Sequence, residues 1–153
     1  MNVRIAVVAL AALLVQGCHP GRGGHASVGP LFVTHAVIPA PPSRSEASAF
    51  LVIANQGSER DVLTGVLTTA ADSVLIHRLV GGLMQPAAPP VIPANGYLDF
   101  VPGGYHLMLE GLRRQLAVGD TVTLALRFGS GVTLAVKVPV LNYTDAVSEL
   151  PLR

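Results

Sequence analysis

The chain has 153 residues, of which 50% are apolar and only 12% are charged, and its formal net charge is +1. This length supports one domain of ordinary size with a real hydrophobic core. No basic cluster stands out, so the composition gives no support to nucleic-acid binding. Asp and Glu number nine in total and are scattered, which argues against an acidic calcium site.

The N-terminus has the pattern of an export signal. Arg4 provides a short positive region, and residues 5–15 form an apolar stretch that is too short to span a bilayer. The stretch ends in VQGC, which is similar to a lipobox. We predict that residues 1–18 are a lipoprotein signal and lipobox, and that a lipidated Cys18 anchors the protein to a bacterial membrane. The alternative is an ordinary secretory signal with a stray cysteine. Since Cys18 is the single cysteine of the chain, no intrachain disulfide can form.

The rest of the chain divides into a linker, a β domain and a tail. Residues 19–30 are rich in Gly and Pro, so we predict a flexible tether there. In residues 31–142, short β-branched and leucine-rich runs alternate with turn residues, a pattern typical of an all-β sandwich or barrel. Residues 143–153 are predicted to be a loose tail, and no segment has a convincing helical period. The predicted strands are 32–38, 48–55, 61–69, 73–80, 83–86, 97–101, 105–110, 120–128 and 132–141.

Four side chains look like the ligand set of one soft-metal site: His77, Met84, His106 and Met108. Apart from Met1, the chain has two methionines, and both belong to this set. Thioether sulfur and neutral imidazole together favour Cu(I) over Mg²⁺ or Ca²⁺, which prefer oxygen ligands. His106 and Met108 are two residues apart on a predicted strand, so their side chains share one face. Taken alone, a His-x-Met on a strand is more often incidental than functional.

The short spacing between His77 and Met84 agrees with the geometry of a tight hairpin. The glycines at 81–82 suit a two-residue turn, which needs positive φ. Such a turn pairs Leu79 with Met84. Because His77 has the same parity as Leu79, His77 and Met84 become diagonal neighbours on one face, about 7–8 Å apart at the backbone. The two side chains are long enough to share an ion over that distance.

This ligand set and its surroundings resemble the PCuAC family of periplasmic copper chaperones. The family carries a histidine, a methionine some ten residues on, then twenty-one intervening residues and a His-x-Met. Here twenty-one residues separate Met84 from His106, but only six lie between His77 and Met84. The most specific matching segment is PGGYHLMLEGL. The resemblance continues through ASAFLVIANQGSERDVLTGV and VIPANGYLDFVPGGYHLMLEGLRRQLAVGDTVTLALRF. An Ala-Trp pair often found in the family's first strand is Ala36-Val37 here.

The resemblance implies a fold and a function. The fold is a cupredoxin-like Greek-key β-sandwich. The function is that of a non-enzymatic chaperone in the periplasm or cell envelope. It would hold one Cu(I) in a His2Met2 site and pass it to a partner such as the copper centre of cytochrome c oxidase. The family's occasional His/Met-rich C-terminal extension is absent, so one high-affinity copper is expected. We expect His19, His25 and His35 to be solvated, although the tether pair His19 and His25 could bind Cu(II) weakly.

Other classes of function fit the sequence less well. A blue-copper electron carrier needs a cysteine thiolate, and the predicted domain has no cysteine. A hydrolase needs a nucleophile with a poised base, and neither Gly-x-Ser-x-Gly nor a Ser-His-acid grouping is present. The remaining alternative is a non-metal accessory lipoprotein module in which a decayed copper site survives. In that case Met84 would be an apolar plug and His77 a surface histidine.

Overall fold

The computed structural model describes residues 21–151, which form eleven strands and one short helix. All nine predicted strands are present, each within two residues of its predicted ends. The elements are β1 Gly24–Val28, β2 Leu31–Pro39, β3 Glu46–Asn55, β4 Asp61–Leu67, β5 Ala71–Val80, β6 Leu83–Pro86, β7 Val91–Ile92, β8 Gly96–Phe100, β9 Tyr105–Leu112, β10 Thr121–Phe128, β11 Thr133–Leu141 and α1 Tyr143–Glu149.

The strands follow one hydrogen-bonded path that folds over on itself. Along the path the order is β6-β5-β9-β8-β3-β2-β11-β10-β4-β7, with β1 paired to β2 outside it. Most pairs are antiparallel; β2 and β11 are parallel and joined by two residue pairs, and β8 and β9 are parallel and joined by one. Buried side chains from both halves of the path, such as Ile53 and Leu107 from one and Leu124 from the other, belong to one core. The result is the predicted all-β, cupredoxin-like sandwich.

Alternation along the strands produces this core. In β10, the sequence TVTLALRF buries every second residue and leaves most of the others exposed. In β3, Ala49, Leu51 and Ile53 are fully buried on one face. Since side chains in a strand point alternately to opposite faces, the register of each strand is fixed by its buried set. A slip of one residue would turn that set towards water.

The predicted tether contains the first strand of the domain. Residues 24–28, which include His25, form β1 and pair with β2, and Ala26 packs against the core. The segment is also tied to α1, because the backbone N–H of Arg22 donates to Glu149 Oε1 at 2.6 Å and its guanidinium pairs with Asp145. The tether prediction is therefore wrong for these residues. The predicted signal, Cys18 and His19 lie outside the described residues.

The predicted loose tail contains a capped helix. Asn142 is the N-cap of α1, and its Oδ1 accepts a hydrogen bond from the backbone N–H of Asp145 at 2.9 Å. The carboxylate of Asp145 in the first turn also interacts favourably with the helix dipole. Ala146 is the buried residue of the helix, and one small residue in two turns gives no visible helical period. Within residues 21–151, no helix has the length and apolar character needed to cross a membrane.

Candidate metal centre

The pairing of β5 with β9 brings two of the predicted ligands face to face. His77 lies directly opposite His106 in this antiparallel pair. The neighbouring pair, Ile76 and Leu107, packs on the core side. Because side chains alternate along a strand, both histidines point away from the core. Met108, two residues beyond His106 on β9, shares their face.

The hairpin of β5 and β6 has the predicted register. The glycines at 81–82 adopt φ values of 58° and 82° in a two-residue turn, and Leu79 pairs with Met84. Met84 is thus the diagonal neighbour of His77. The position directly opposite His77 on β6 is occupied by Pro86.

The two methionines lie on opposite sides of His77. On β5, Met108 pairs with Leu75, two residues before His77. Met84 pairs with Leu79, two residues after His77. Each offset corresponds to roughly 7 Å along the strand. Met108 is partly buried and accepts a hydrogen bond from Ser48 Oγ at 3.8 Å, whereas Met84 is 56% exposed on β6 at the end of the strand path. The two methionines thus differ in burial and in strand: Met108 lies on the same strand as His106, and Met84 lies on the outer strand β6.

The two imidazole rings have the geometry needed to share an ion. Their centroids are 5.7 Å apart and their planes are at 87°. With a metal–nitrogen distance of about 2.0–2.1 Å and a ring radius of about 1.1 Å, two imidazoles on one ion have centroids at most about 6.4 Å apart. Nδ1 of His77 and Nε2 of His106 are buried and have no hydrogen-bond partner among the described residues. An unpartnered buried nitrogen is unfavourable, and an ion held between the rings would satisfy both.

The surroundings of His106 favour its metal-binding form. Its side chain is buried, and burial lowers its pKa; the backbone carbonyl of Gly104 opposes this change, and the positive charge of a protonated His77 adds to it. Nδ1 of His106 lies 3.5 Å from Gly104 O, a long hydrogen bond in which the nitrogen donates. This contact leaves Nε2 with its lone pair free. A neutral ring is the form that a metal binds.

The two methionines of the site reach different surfaces. Met108 contributes to the wall of an open cavity of about 370 Å³, which is also lined by residues 39–43, Phe50 and Tyr143. On the other side, the tip of the β5–β6 hairpin exposes apolar side chains, with Leu83 67% exposed beside Met84. The two methionines therefore reach the surface on either side of the histidine pair, and the histidine nitrogens that lack a hydrogen-bond partner among the described residues are buried.

Comparison with known proteins identifies the family of the chain. Residues 31–140 match the family model described as "Putative lipoprotein LpqE-like". The chain belongs to this LpqE-like family. A relative from Leifsonia xyli subsp. xyli, "Putative lipoprotein Lxx21020", is 36% identical over 104 residues, which amount to 65% of this chain and 63% of the relative. The match thus spans less than two thirds of that relative's length.

Solved structures of PCuAC domains share the fold of this LpqE-like chain. The apo PCuAC domain from PmoF1 has a TM-score of 0.69 and 26% identity, and the match covers 77% of this chain and 98% of that one. The solution structure of CuI-DR1885 from Deinococcus radiodurans has a TM-score of 0.61 and 32% identity, over 71% of this chain and 76% of that one. A copper-bound PCuAC domain from PmoF2, at 21% identity and a TM-score of 0.68, covers 77% of this chain and 97% of its own. The matches confirm the predicted PCuAC family and its fold.

Proposed function

We propose that this protein is a Cu(I)-binding metallochaperone of the cell envelope that holds its ion with His77, His106, Met108 and Met84. The observation that carries the proposal is the pair of facing imidazoles. Each ring presents a buried nitrogen with no hydrogen-bond partner among residues 21–151, and Met108 shares their face. The copper-bound states of PmoF2 and DR1885 support the same chemistry in this chain.

The ligand types suit a carrier of copper. Methionine needs no deprotonation, so only the two histidines compete with protons for the ion, and an unperturbed histidine has a pKa near 6.5. Mixed thioether and imidazole ligands select Cu(I) over harder ions. Without a thiolate, the site can bind copper and still release it to a partner with better ligands.

The position of Met84 suggests the order of release. His77 and His106 lie directly opposite each other, His106 is buried, and Met108 is partly buried on the same strand as His106. Met84 is exposed on β6, beside other exposed apolar side chains. A receiving protein that docks on this hairpin can replace Met84 first, while the remaining three ligands still hold the ion. The exchange changes only which ligands hold the copper ion, so the protein acts as a carrier and not as an enzyme.

We propose that the protein delivers its copper to the copper centre of cytochrome c oxidase, as the PCuAC resemblance implies, or to another copper-receiving protein. We also propose that Cys18 anchors the chain to a membrane through a lipid. The lipoprotein descriptions of the family and of the Leifsonia relative support this anchor. The chaperone would then act at the membrane surface on the periplasmic side.

X-ray absorption of the purified protein loaded with Cu(I) tests the proposal. The sample has to include residues 21–30, because β1 and the contacts of Arg22 belong to the fold. We expect one Cu(I) with two nitrogen and two sulfur neighbours. A His106→Ala variant should lose the ion, whereas His25→Ala, far from the site in strand order, should keep it. Copper surrounded by nitrogen and oxygen alone would contradict the ligand set. An absence of Cu(I) binding would favour the non-metal accessory module.

A further inference from the structure

A second pair of histidines lies on β1 and β2. His25 and His35, expected from the sequence to be solvated, have ring centroids 6.4 Å apart and planes at 64°. The paired positions Gly24–Ala36 and Ala26–Val33 enclose one residue of β1, His25, and two residues of β2, Thr34 and His35. His25 therefore lies opposite a β-bulge that contains His35. Bulges often redirect a side chain, and this one brings the two imidazoles together.

The backbone around His35 is unusual in two ways. His35 has a φ of 54° and, with Asn95, is one of two non-glycine residues with positive φ in the described part of the chain. Asn tolerates this conformation well, and for most other side chains it is strained. The neighbouring Gly23 permits a close approach, since a Cβ there would lie 3.1 Å from the Cα of His35. The local fold thus holds His35 in a strained conformation, with Gly23 packed closely against its backbone.

We propose that His25 and His35 form a second metal site, which takes a divalent ion that prefers imidazole, with Cu(II) bound more tightly than Zn²⁺. Imidazole suits both ions, and the general order of affinities places Cu²⁺ above Zn²⁺. The centroid distance of 6.4 Å is at the upper limit for two rings on one ion, and the exposed His25 can turn to shorten it. Water completes the coordination.

The charges near the pair are compatible with a bound dication. Glu149 Oε2 lies 3.4 Å from the point that a Cβ of Gly23 would occupy, next to the backbone of His35. Arg22 and Lys137 are nearby cations: the guanidinium of Arg22 pairs with Asp145, and the backbone of Lys137 lies against Gly24. Glu149 and Asp145 balance these two cations, so the charged groups named here add no net positive charge to oppose a bound ion.

This second site differs from the His77–His106 centre in chemistry and position. The pairing of His25 and His35 involves no methionine, and a pair of nitrogen ligands does not select Cu(I). The strand β1 is separated from β9 by β2 and β3 in the sheet. The inference therefore does not rest on the proposed copper chaperone function, and either site can fail without the other.

Titration of the full-length apo protein with Cu(II), followed by electron paramagnetic resonance, tests the second site. The variants are His25→Ala and His35→Asn, the latter because asparagine accepts positive φ. Loss of a neighbouring outer-shell group already weakens metal sites about 10–100-fold, so loss of a ligand should weaken Cu(II) binding at least tenfold. In the signal of that ion, the couplings of two imidazole nitrogens should fall to those of one, and Cu(I) affinity at the His77–His106 centre should stay unchanged.

Controls separate this pair from other nitrogen donors. His19→Ala should leave the Cu(II) signal unaltered, and circular dichroism should show that both test variants are folded. If His35→Asn does not fold, the exposed His25→Ala variant decides the question alone. Unchanged Cu(II) binding in His25→Ala, loss of the signal in His19→Ala, or tighter binding of Zn²⁺ than of Cu(II) would each overturn the proposal.

Discussion

His77 and His106 face each other across β5 and β9, with 5.7 Å between their ring centroids. The core pair of Ile76 and Leu107, one residue along, holds these strands in register. A slip of one residue would turn one imidazole towards the core. The packing of the core and the geometry of the candidate copper site therefore depend on the same strand pairing.

Replacing each methionine by leucine should have unequal effects on Cu(I) affinity. Leucine keeps the volume and apolarity of methionine, and such swaps usually cost less than about 1.5 kcal/mol of stability. Met108→Leu should cause the larger loss, because Met108 is partly buried on the strand of His106 and is held by Ser48. Met84→Leu should cause a smaller loss, because Met84 is exposed at the sheet edge. Competition titrations with a Cu(I) chelator measure both. Equal affinities in wild type and Met108→Leu would contradict the assignment.

Moving the thioether on β6 gives a matched control for the role of Met84. The position directly opposite His77 is Pro86. In a Met84→Leu/Pro86→Met double variant, the new methionine would be adjacent to the histidine pair instead of diagonal to it. We expect this variant to bind Cu(I) at least as tightly as wild type, while Met84→Leu alone binds more weakly. If Met84→Leu alone leaves the Cu(I) affinity unchanged, β6 supplies no ligand; if it weakens binding and the double variant binds no better, a methionine opposite His77 does not replace Met84.

The dependence of apo-protein stability on pH should report the burial of His106. Burial lowers the pKa of His106 below its ordinary value of 6.5. Below pH 6.5 the unfolded chain takes up a proton that the folded chain resists, so the free energy of unfolding decreases as the pH is lowered. The contribution is complete above about pH 6.5 and is lost as pH falls towards the lowered pKa of the folded state. Urea unfolding from pH 7.5 to 5 measures the effect, and a His106→Gln variant should show less of it. An identical pH dependence in both proteins would contradict this role of burial.

Residue patterns predicted most of the sandwich and the local geometry of the site. Alternating runs such as TVTLALRF identified every long strand, because one face of each strand is buried. The glycines at 81–82 fixed the β5–β6 register, since a two-residue turn leaves one pairing for Leu79 and Met84. His106 and Met108 of β9 share one face because they are two residues apart on a strand whose side chains alternate. In each case the information is local, within one strand or one hairpin.

The features that the sequence did not predict depend on distant contacts. β1 is short, starts with glycine and carries His25 and Ser27, so its alternation is weak, and it is stabilised by pairing with β2. α1 buries only Ala146. The approach of His25 to His35 requires a bulge, which leaves no periodic signal in the sequence. The opposite offsets of Met84 and Met108 from His77 result from the pairing of β5 with both β6 and β9, and β9 is distant from β5 in the sequence.

Changing Cys18 to Ser should release the protein from membranes without changing its Cu(I) affinity. Without the thiol, the proposed lipid cannot be attached. Arg22, near the start of the described residues, contacts α1, whereas the proposed copper ligands lie on β5, β6 and β9, so we expect the substitution to leave those strands unchanged. Fractionation of cells that express wild type or Cys18→Ser tests the anchor. A Cys18→Ser protein that stays in the membrane fraction would disprove lipidation at this residue.

Removing β1 should destabilise the domain. A chain that starts at Leu31 loses the packing of Ala26 and Val28 against the core and leaves one edge of β2 unpaired. Each partly buried apolar side chain contributes on the order of 1 kcal/mol, so we expect a loss of about 1–3 kcal/mol relative to a chain that starts at Gly21. Urea unfolding of the two chains measures the difference.

The Arg22→Ala variant distinguishes the stability contributed by the packing of β1 from that contributed by the ion pair of Arg22. The pair of Arg22 with Asp145 is largely exposed, and exposed pairs contribute about 0–1 kcal/mol. Arg22→Ala should therefore cost less than removal of the whole strand. If the shortened chain and the longer chain unfold at the same urea concentration, β1 adds nothing to the fold and residues 24–28 behave as a tether after all. If Arg22→Ala costs as much as the truncation, the ion pair rather than the packing of β1 holds the segment in place.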